Sequence, residues 1–439
     1  MLKHIIGTFG TKIACVFIAF VILMINSHSF HAEGLGVISL FVLDVSIIHI
    51  LSFVFGSGSL VYSFVRFDKF QVLLVSYIST VIVAIAGSCV MCCFHLGVSS
   101  DLLPYLLSAT LSVAVCFLNT QLFLAKDNIL YYNLFQLLPS IVLLGLLLLF
   151  VFVLGQDNCY AYIRAYTFCY VFFAAITFVP AVKGVRYKGM SGFGGVCRQM
   201  LKYGFTIQVA NLSQMLNYRL GFYFGEYCTG TQGVGLLSVG TKVSESVWIL
   251  PNSLAPVQYA KIANHQEDKA YTIGITLLFA KMTFVVSLGL IVLLLLLPSV
   301  CFAWIFGEEF RQIQPLLYVI APGILFFSVN IMVAHYFSGY GKYYINTICS
   351  LSGLLVTAVA GACFVPLLKT LPLSDAITIL AAINSASYMV SCTATLVFFF
   401  RDTHISWRRF LLNRQDAKTV LSETKALLQS FKHTKTTIE

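Results

Sequence analysis

Seven ionisable side chains interrupt long apolar segments, and these residues could bind a charged ligand. Five are basic and two are acidic; in chain order they are Lys12, Asp44, Arg164, Arg219, Lys242, Glu245 and Lys281. A charge near the centre of a bilayer costs roughly 2.5 to 3.5 kcal/mol, so such a group normally faces a partner or water. The basic surplus predicts an anionic ligand, and a phosphate or pyrophosphate group is bound best by Arg and Lys together.

Polar side chains recur at helical spacing on two neighbouring segments, which contain Arg219 and Lys242. Helices with such faces are too polar to contact lipid, so they are predicted to surround water, a substrate or other protein. We expect Arg219 and Lys242 to line a cavity there. Lys12, Lys281 and Arg164 either bind the anion as well or extend to the membrane surface. The polar and aromatic residues expected in the cavity are Gln208, Asn211, Tyr218, Ser238 and Asn252.

A purely structural alternative exists for the same charges. Lys242 and Glu245 are three residues apart, so they could pair on one helix face, while Asp44 neutralises another cation. His49 and His335 either relay protons or only form hydrogen bonds.

No catalytic motif occurs in the chain. There is no phosphate-binding loop, no HExxH and no GxSxG sequence, so neither an enzyme activity nor a cofactor is predicted. Cys89, Cys92, Cys93 and His95 resemble a metal-binding motif, but no second pair of ligands lies near them in the sequence. We interpret most of the 13 cysteines as small buried apolar residues and predict no metal site.

The composition indicates an integral membrane protein. Of the 439 residues, 59% are hydrophobic and 10% are charged, whereas soluble domains carry roughly 25% charged residues. The first apolar segment resembles a secretory signal peptide, but hydrophobic spans continue along the chain, so we interpret it as an uncleaved first span. Hydropathy predicts twelve spans, at 8–27, 36–60, 70–95, 103–124, 130–154, 160–182, 204–227, 234–256, 273–298, 313–337, 343–366 and 376–400.

Basic residues predict the orientation, because Lys and Arg accumulate in cytoplasmic loops. With the N-terminus inside, twenty basic residues lie in cytoplasmic segments, and only Arg311 and Lys369 lie on the other side. Both termini are therefore expected in the cytoplasm.

The two halves of the chain resemble each other. Glu33-Gly34-Leu35-Gly36 opens span 2, and Gln232-Gly233-Val234-Gly235 opens span 8. Likewise Lys126 precedes Tyr131-Tyr132, and Lys342 precedes Tyr343-Tyr344. These matches predict two parallel repeats related by an axis along the membrane normal, with a site between them.

The repeats and the polar segments predict three regions. Residues 1–190 and 191–400 are two six-helix lobes, joined by a basic loop from Lys183 to Gly204 that is expected to act as a hinge. Residues 401–439 form a basic cytoplasmic tail with an amphipathic helix near 407–428.

Four short segments carry a resemblance to a known family: Glu33-Gly34-Leu35-Gly36, Leu216-Asn217-Tyr218-Arg219-Leu220, Gly233-Val234-Gly235-Leu236-Leu237-Ser238-Val239 and Trp248-Ile249-Leu250-Pro251. In these segments the chain resembles the Wzx-type polysaccharide flippases of the multidrug/oligosaccharidyl-lipid/polysaccharide (MOP) exporter superfamily.

The resemblance implies a two-lobed bundle that alternates between two openings in a bacterial inner membrane. The implied substrate is an undecaprenyl-pyrophosphate-linked repeat unit for O-antigen or capsule assembly, with Arg219 and Lys242 at the pyrophosphate. The implied partners are a polysaccharide polymerase, chain-length proteins and a coupling ion, H⁺ or Na⁺, but no nucleic acid. An acidic residue common after the Tyr-Arg-Leu motif is replaced by Gly221, so Asp44 or Glu245 would have to couple transport to the ion.

Two other functions remain open from the sequence. A multidrug or cation exporter of the same superfamily would prefer acidic cavity residues, against the basic surplus seen here. A membrane polysaccharide polymerase or ligase would carry catalytic Arg or His in a large external loop, whereas the longest external loops here are short, near 298–312 and 366–375.

Overall fold

The computed structural model describes residues 2–93, 100–187 and 189–410, and within these ranges it contains helices and connecting turns but no β-strand. The fold is therefore all-α, as predicted. The α-helices are α1 Leu2–Ser52, α2 Ser57–Arg66, α3 Lys69–Cys93, α4 Leu103–Ala125, α5 Ile129–Leu148, α6 Tyr160–Val182, α7 Phe193–Glu245, α8 Ile249–Asn264, α9 Lys269–Leu295, α10 Ser299–Phe306, α11 Gln314–Gly339, α12 Tyr343–Leu368 and α13 Leu373–Thr403.

The helices α1 and α7 each contain two membrane spans that meet at a sharp bend. They comprise 51 and 53 residues, and a straight helix of that length would measure about 75–80 Å, more than twice the hydrocarbon core. Both are interrupted by one residue with left-handed φ and extended ψ, at His31 (φ 57°, ψ −173°) and at Gly230 (φ 70°, ψ −175°). The chain therefore turns back on itself at both positions.

The prediction of about twelve spans is confirmed for the described part of the chain. Nine helical stretches there are long and apolar enough to cross a membrane by length and composition. The first of them, Gly10–Arg66, contains both spans of α1. The second span of α1 continues into α2, and the more polar helix α7 supplies two further spans, the second of which continues into α8.

The two bends contact each other, and the contact is reciprocal. A Cβ atom on Gly36 would lie 1.8 Å from the carbonyl oxygen of Thr231, and one on Gly235 would lie 1.8 Å from that of Ala32. Gly36 and Gly235 are equivalent in the internal repeat, as are Ala32 and Thr231. A contact that repeats itself with its partners exchanged is what a two-fold axis produces. The predicted pseudo-symmetric, two-lobed architecture is confirmed.

Equivalent lysines also anchor equivalent helix ends in the two lobes. Lys126, after α4, donates to the carbonyl oxygens of Ala181 and Lys183 at the end of α6, at 2.6 and 2.8 Å. Lys342, after α11, pairs with Asp402 at the end of α13. We call this face of the bundle the basic side, and the face that carries the two bends the opposite side.

The helix α7 begins earlier than the sequence predicts. It starts at Phe193, so the second half of the predicted hinge loop from Lys183 to Gly204 is helical, and the prediction of a loop there is wrong. Hydropathy detects only the part of a helix that lies in apolar surroundings, and it misses a helical turn that continues into polar surroundings. The division of the lobes at residue 190 stays a prediction.

Only the first residues of the predicted tail are described. Trp407–Phe410 forms a short 3₁₀ turn, and the Phe410 ring packs against Phe399 and Phe400 with ring centroids 6.1 and 5.6 Å apart. Most of the amphipathic helix predicted near 407–428 lies outside the described residues, as does His95 of the cysteine cluster.

Candidate substrate cavity

A cavity of about 510 Å³ lies between the two lobes, where α1, α5 and α6 face α7. Its volume is within the range of small-molecule sites, about 300–1,000 Å³. Arg219 and Lys242 both line it, so the structure brings together the two cations that the sequence places at the anion site. The other polar and aromatic residues of its wall are Asn26, Ser39, Ser46, Ser140, Tyr162, Tyr166, Tyr170, Tyr218 and Phe222.

A second compartment of about 550 Å³ adjoins the central cavity. Lys12 and Gln136 line it from the first lobe, and Glu245 and Asn252 line it from the second. Lys242 belongs to the walls of both compartments. A ligand that moves from one compartment to the other therefore passes the Lys242 ammonium group.

Lys242 is the cation at this junction that has no direct ion-pair partner among the described residues, because the nearby Glu245 carboxylate is bound to Arg219. Its side chain is exposed to the cavity, and among the described residues it forms neither a hydrogen bond nor an ion pair. The neighbouring Arg219 does not neutralise it, since both are positive. An anion in the cavity is the natural partner for such a group.

Arg219 forms a bidentate ion pair with Glu245 across the bend of α7. Its Nη1 and Nη2 atoms donate to Oε1 and Oε2 of Glu245 at 2.7 and 2.6 Å. The side chains are 22% and 15% exposed. The alternative pairing of Lys242 with Glu245 is therefore wrong, because parallel N–H···O bonds to a guanidinium fork bind a carboxylate more specifically than a lysine three residues away. Arg219 still lines the cavity, but its charge is already balanced.

Asp44 lies at the contact between the lobes and not on the cavity wall. It is completely buried, and the Tyr223 hydroxyl of α7 donates to its Oδ1 at 2.5 Å. This hydrogen bond joins α1 of the first lobe to α7 of the second. Asp44 therefore belongs to the packing contact between the lobes.

Two of the predicted cations lie away from the central cavity. Lys281 lines a separate apolar groove formed by α9, α11 and α13, together with Phe284 and Phe410. Arg164 lies in the first turns of α6, where its Nη1 approaches Oε1 of Gln156 at 3.5 Å. The structure therefore does not bring Lys281 or Arg164 to the anion site, whereas it does bring Lys12 to the adjoining compartment.

The predicted polar residues are also divided among different surroundings. Tyr218 lines the central cavity, and Asn252 lines the adjoining compartment. Asn211 lines a third cavity, inside the second lobe. Gln208 is buried and accepts from Asn211 at 3.0 Å, and Ser238 is buried with its hydroxyl on the carbonyl oxygen of Gly235.

The wall that α6 contributes was missed by the sequence analysis. Tyr162, Tyr166 and Tyr170 follow one another at four-residue spacing and line the cavity along one helix face. That spacing is visible in the sequence and could have identified the face. Asn26 and Ser39 of α1 also line the wall, and their Oδ1 and Oγ atoms are buried without hydrogen-bond partners. The wall thus offers polar groups to a ligand as well as charge.

The opposite side of the bundle is closed above the cavity. Besides the reciprocal glycine contact, Glu309 of the segment before α11 accepts from the backbone N–H of Ala32 at 2.9 Å and lies 3.3 Å from Nδ1 of His31. A carboxylate at the first N–H groups of a helix is stabilised by the helix dipole. These contacts hold His31 in a backbone conformation that costs a non-glycine residue about 1–3 kcal/mol.

Comparisons with known proteins identify the fold. No protein-family profile matches the chain, and no curated protein matches its sequence. Among solved structures, the chain shares the two-lobed, all-α membrane fold of the MOP superfamily.

Three solved structures illustrate the similarity. The lipid II flippase MurJ, in an inward closed conformation, aligns with 93% of this chain and 89% of its own, with a TM-score of 0.68 and 14% identity. An inward-facing multidrug resistance MATE family transporter aligns with 89% of this chain and 94% of its own, with a TM-score of 0.70 and 12% identity. An outward-facing transporter of the MATE family aligns with 92% of this chain and 96% of its own, with a TM-score of 0.61 and 14% identity.

Proposed function

We propose that this chain is a flippase that moves an undecaprenyl-pyrophosphate-linked oligosaccharide across the inner membrane, for O-antigen or capsule assembly. The observation that carries the proposal is the Lys242 ammonium group, which lies at the junction of two compartments between the lobes without a direct ion-pair partner among the described residues. A charge in that position costs free energy unless an anion binds to it. The pyrophosphate of a lipid-linked sugar supplies such an anion, while its prenyl chain remains in the bilayer.

The other cations assist in different ways. Lys12 lines the compartment that adjoins the central cavity, so it attracts the pyrophosphate before Lys242 binds it. Arg219 has five N–H donors, of which two bind Glu245. The others remain for a phosphate oxygen, so the ion pair orients Arg219 without excluding the substrate.

The charge bias gives the orientation of the chain in the proposed transport cycle. The basic side is the cytoplasmic side if the positive-inside rule holds, and the termini then lie in the cytoplasm. The glycine contact and Glu309 close the opposite side, so the substrate enters the cavity from the basic side in the proposed cycle.

Asp44 is the better of the two candidates for coupling transport to an ion. Glu245 already binds Arg219 through both carboxylate oxygens. Asp44 instead joins the lobes through Tyr223, so uptake of H⁺ or Na⁺ at its carboxylate would alter the contact that changes during alternating access. A polysaccharide polymerase and chain-length proteins would act on the delivered substrate.

Transport in liposomes tests the proposal. We expect Lys242→Met to lower the rate at which a fluorescent undecaprenyl-pyrophosphate sugar crosses the bilayer by about tenfold or more, since it removes one charged hydrogen bond. The matched control is Lys281→Met, which makes the same change in the separate groove and should leave the rate unchanged. Equal transport rates for the Lys242 variant and the native protein would refute the anion site.

Drug export is the competing function. A cationic drug would require acidic groups, and the one acidic residue on the walls of the two compartments, among the described residues, is Glu245, which is paired. Expression in a host that lacks its own pumps, followed by a drug-susceptibility panel, distinguishes the two. Resistance to cationic drugs that depends on Glu245 would favour export of drugs.

A further inference from the structure

A third cavity, of about 450 Å³, lies inside the second lobe between α7, α8, α11 and α12. Its walls include the last turns of α11 and the first turns of α12, which meet at the basic side. Trp248 also belongs to the wall; it is 5% exposed, and its ring packs against Tyr218, Phe327 and Tyr388 with centroids 5.6, 4.9 and 5.6 Å apart. We call it the amide cavity, because five side-chain amides lie on its wall.

The described wall of the amide cavity carries amides, hydroxyls and one histidine, but no Lys, Arg, Asp or Glu. A charged ligand would lose its hydration there without gaining an opposite charge, so the wall selects against ions. An uncharged polar ligand meets no such penalty. The amide-bearing residues of the wall are Asn211, Gln214, Asn252, Asn330 and Asn346.

Two of these amides present acceptors that the protein leaves without a donor. Asn346 donates through Nδ2 to the carbonyl oxygen of Ala334 at 3.0 Å and to the Ser338 hydroxyl at 2.9 Å. These bonds fix the orientation of the amide, and its Oδ1 is buried without a partner. Asn330 is 8% exposed, and its Oδ1 is also unpartnered. Buried acceptors in folded proteins are nearly always hydrogen-bonded, and because Asn330 and Asn346 belong to the cavity wall, a water or a ligand in the cavity is the natural donor for these two.

His335 adds a third acceptor to the same wall. Its Nδ1 lies 2.7 Å from the carbonyl oxygen of Ile331, and because a carbonyl oxygen only accepts, Nδ1 carries the proton. In the uncharged ring Nε2 is then an acceptor. The wall therefore calls for a ligand with several O–H or N–H donors and no net charge, which is the chemistry of a sugar.

The amide cavity and the anion site share residues. Tyr218 lines both the amide cavity and the central cavity, and Gln214 donates to its hydroxyl at 2.6 Å. Asn252 lines both the amide cavity and the compartment of Lys12. A ligand with an anionic part and an uncharged hydroxylated part can therefore contact both sites at once.

We infer that the amide cavity binds the uncharged, hydroxyl-rich sugar of the lipid-linked substrate while Lys242 binds its pyrophosphate. The inference rests on the proposed function for the identity of the substrate. It adds that the second lobe recognises the glycan, so that selectivity for the sugar and affinity for the phosphate reside in separate sites.

Binding to the purified full-length protein tests the inference. The two probes are undecaprenyl pyrophosphate and the same lipid that carries one N-acetylglucosamine. The native protein should bind the glycosylated probe about tenfold more tightly, the effect of one or two hydrogen bonds. Asn330→Leu should abolish this preference and leave the affinity for the bare lipid unchanged. His335→Phe removes another acceptor and should reduce the preference as well.

The control variant is Asn384→Leu. Asn384 is fully buried on α13, and both atoms of its amide lack partners, but it packs against Gly221 and does not line the amide cavity. Leu has the same branching and number of non-hydrogen atoms as Asn, so both substitutions replace an unpartnered amide oxygen by a methyl group and should leave the melting temperature equal or higher. Only Asn330→Leu should lose the sugar preference.

Three results would overturn the inference: no preference in the native protein, an unchanged preference in Asn330→Leu, or an equal loss in Asn384→Leu. Lys242→Met tests the proposed function separately, because it should weaken the binding of both probes equally. A sugar preference that depends on Asn330, with no effect of Lys242→Met, would retain the amide cavity and reject the pyrophosphate site.

Discussion

Arg219 and Lys242 differ in role although they line the same cavity. The guanidinium of Arg219 is held by Glu245 at 2.7 and 2.6 Å, whereas the Lys242 ammonium has cavity space around it. Removal of one partner from a buried ion pair leaves an uncompensated charge, which costs more than the pair itself contributes. Arg219 and Glu245 are thus expected to support the structure, and Lys242 to bind the ligand.

The ion pair predicts a specific pattern of stabilities. Glu245→Gln should lower the free energy of unfolding by about 2–4 kcal/mol, somewhat less than for a fully buried pair because water reaches it from the cavity. The double variant Arg219→Gln/Glu245→Gln should be more stable than either single variant, because no charge is left alone. Melting temperatures in one detergent measure the effect; single changes that simply add in the double variant would contradict the pairing.

Among the helices, the bends of α1 and α7 carry the contact that closes the opposite side. Each bend has left-handed φ, at His31 and Gly230, and each presents a glycine to a carbonyl oxygen of the other. Glycine is required at Gly36 and Gly235 because any Cβ there would overlap a backbone atom 1.8 Å away. Two helices can approach this closely only where side chains are absent.

Gly36→Val should therefore open the contact without unfolding either lobe. We expect faster hydrogen exchange in the first turns after both bends, near 32–40 and 231–239, because the contact is reciprocal. Mass spectrometry of the purified protein measures it, and Gly235→Val should give the same pattern. Gly289→Val is the matched control, since nothing lies within 4 Å of its Cβ position. Protection that persists at the bends in both Gly36→Val and Gly235→Val would disprove the contact.

For the whole molecule, the cavities and the closed side define one conformation. The central cavity and the compartment of Lys12 lie between the lobes, and the bends, with Glu309, seal the face opposite the basic loops. In the proposed transport cycle, alternating access would require these contacts to break and equivalent ones to form near the basic side. The reciprocal symmetry of the bends allows both lobes to take part equally in that change.

The orientation of the molecule is testable with reporter fusions. Because basic residues are concentrated on one side, a fluorescent protein fused after Glu439 should fold in the cytoplasm, and alkaline phosphatase at the same position should be inactive. Phosphatase inserted after Thr370, in the connection between α12 and α13, should be active. The reverse pattern would place the basic side outside and the cavity open to the other leaflet.

The sequence by itself determined the number of spans, the charge bias and the internal repeat. A span must contain about 20 apolar residues to cross the hydrocarbon core, so hydropathy along the chain is sufficient to find it. The repeat that contains Gly36 and Gly235 was also visible in the sequence, because equivalent bends need equivalent residues.

Only the tertiary structure decided which charges meet. Glu245 pairs with Arg219, 26 positions away, because the bend at Gly230 lays the two halves of α7 side by side. Lys281 and Arg164 are basic residues in apolar segments, as Lys242 is, but they contact other neighbours. Among the described residues, the second lobe has amides with unpartnered buried atoms on four helices: α8, α11, α12 and α13. Hydropathy indicates which segments lie in the membrane, but it does not indicate which face of a helix contacts which neighbour. The orientation of each helix face is fixed by packing.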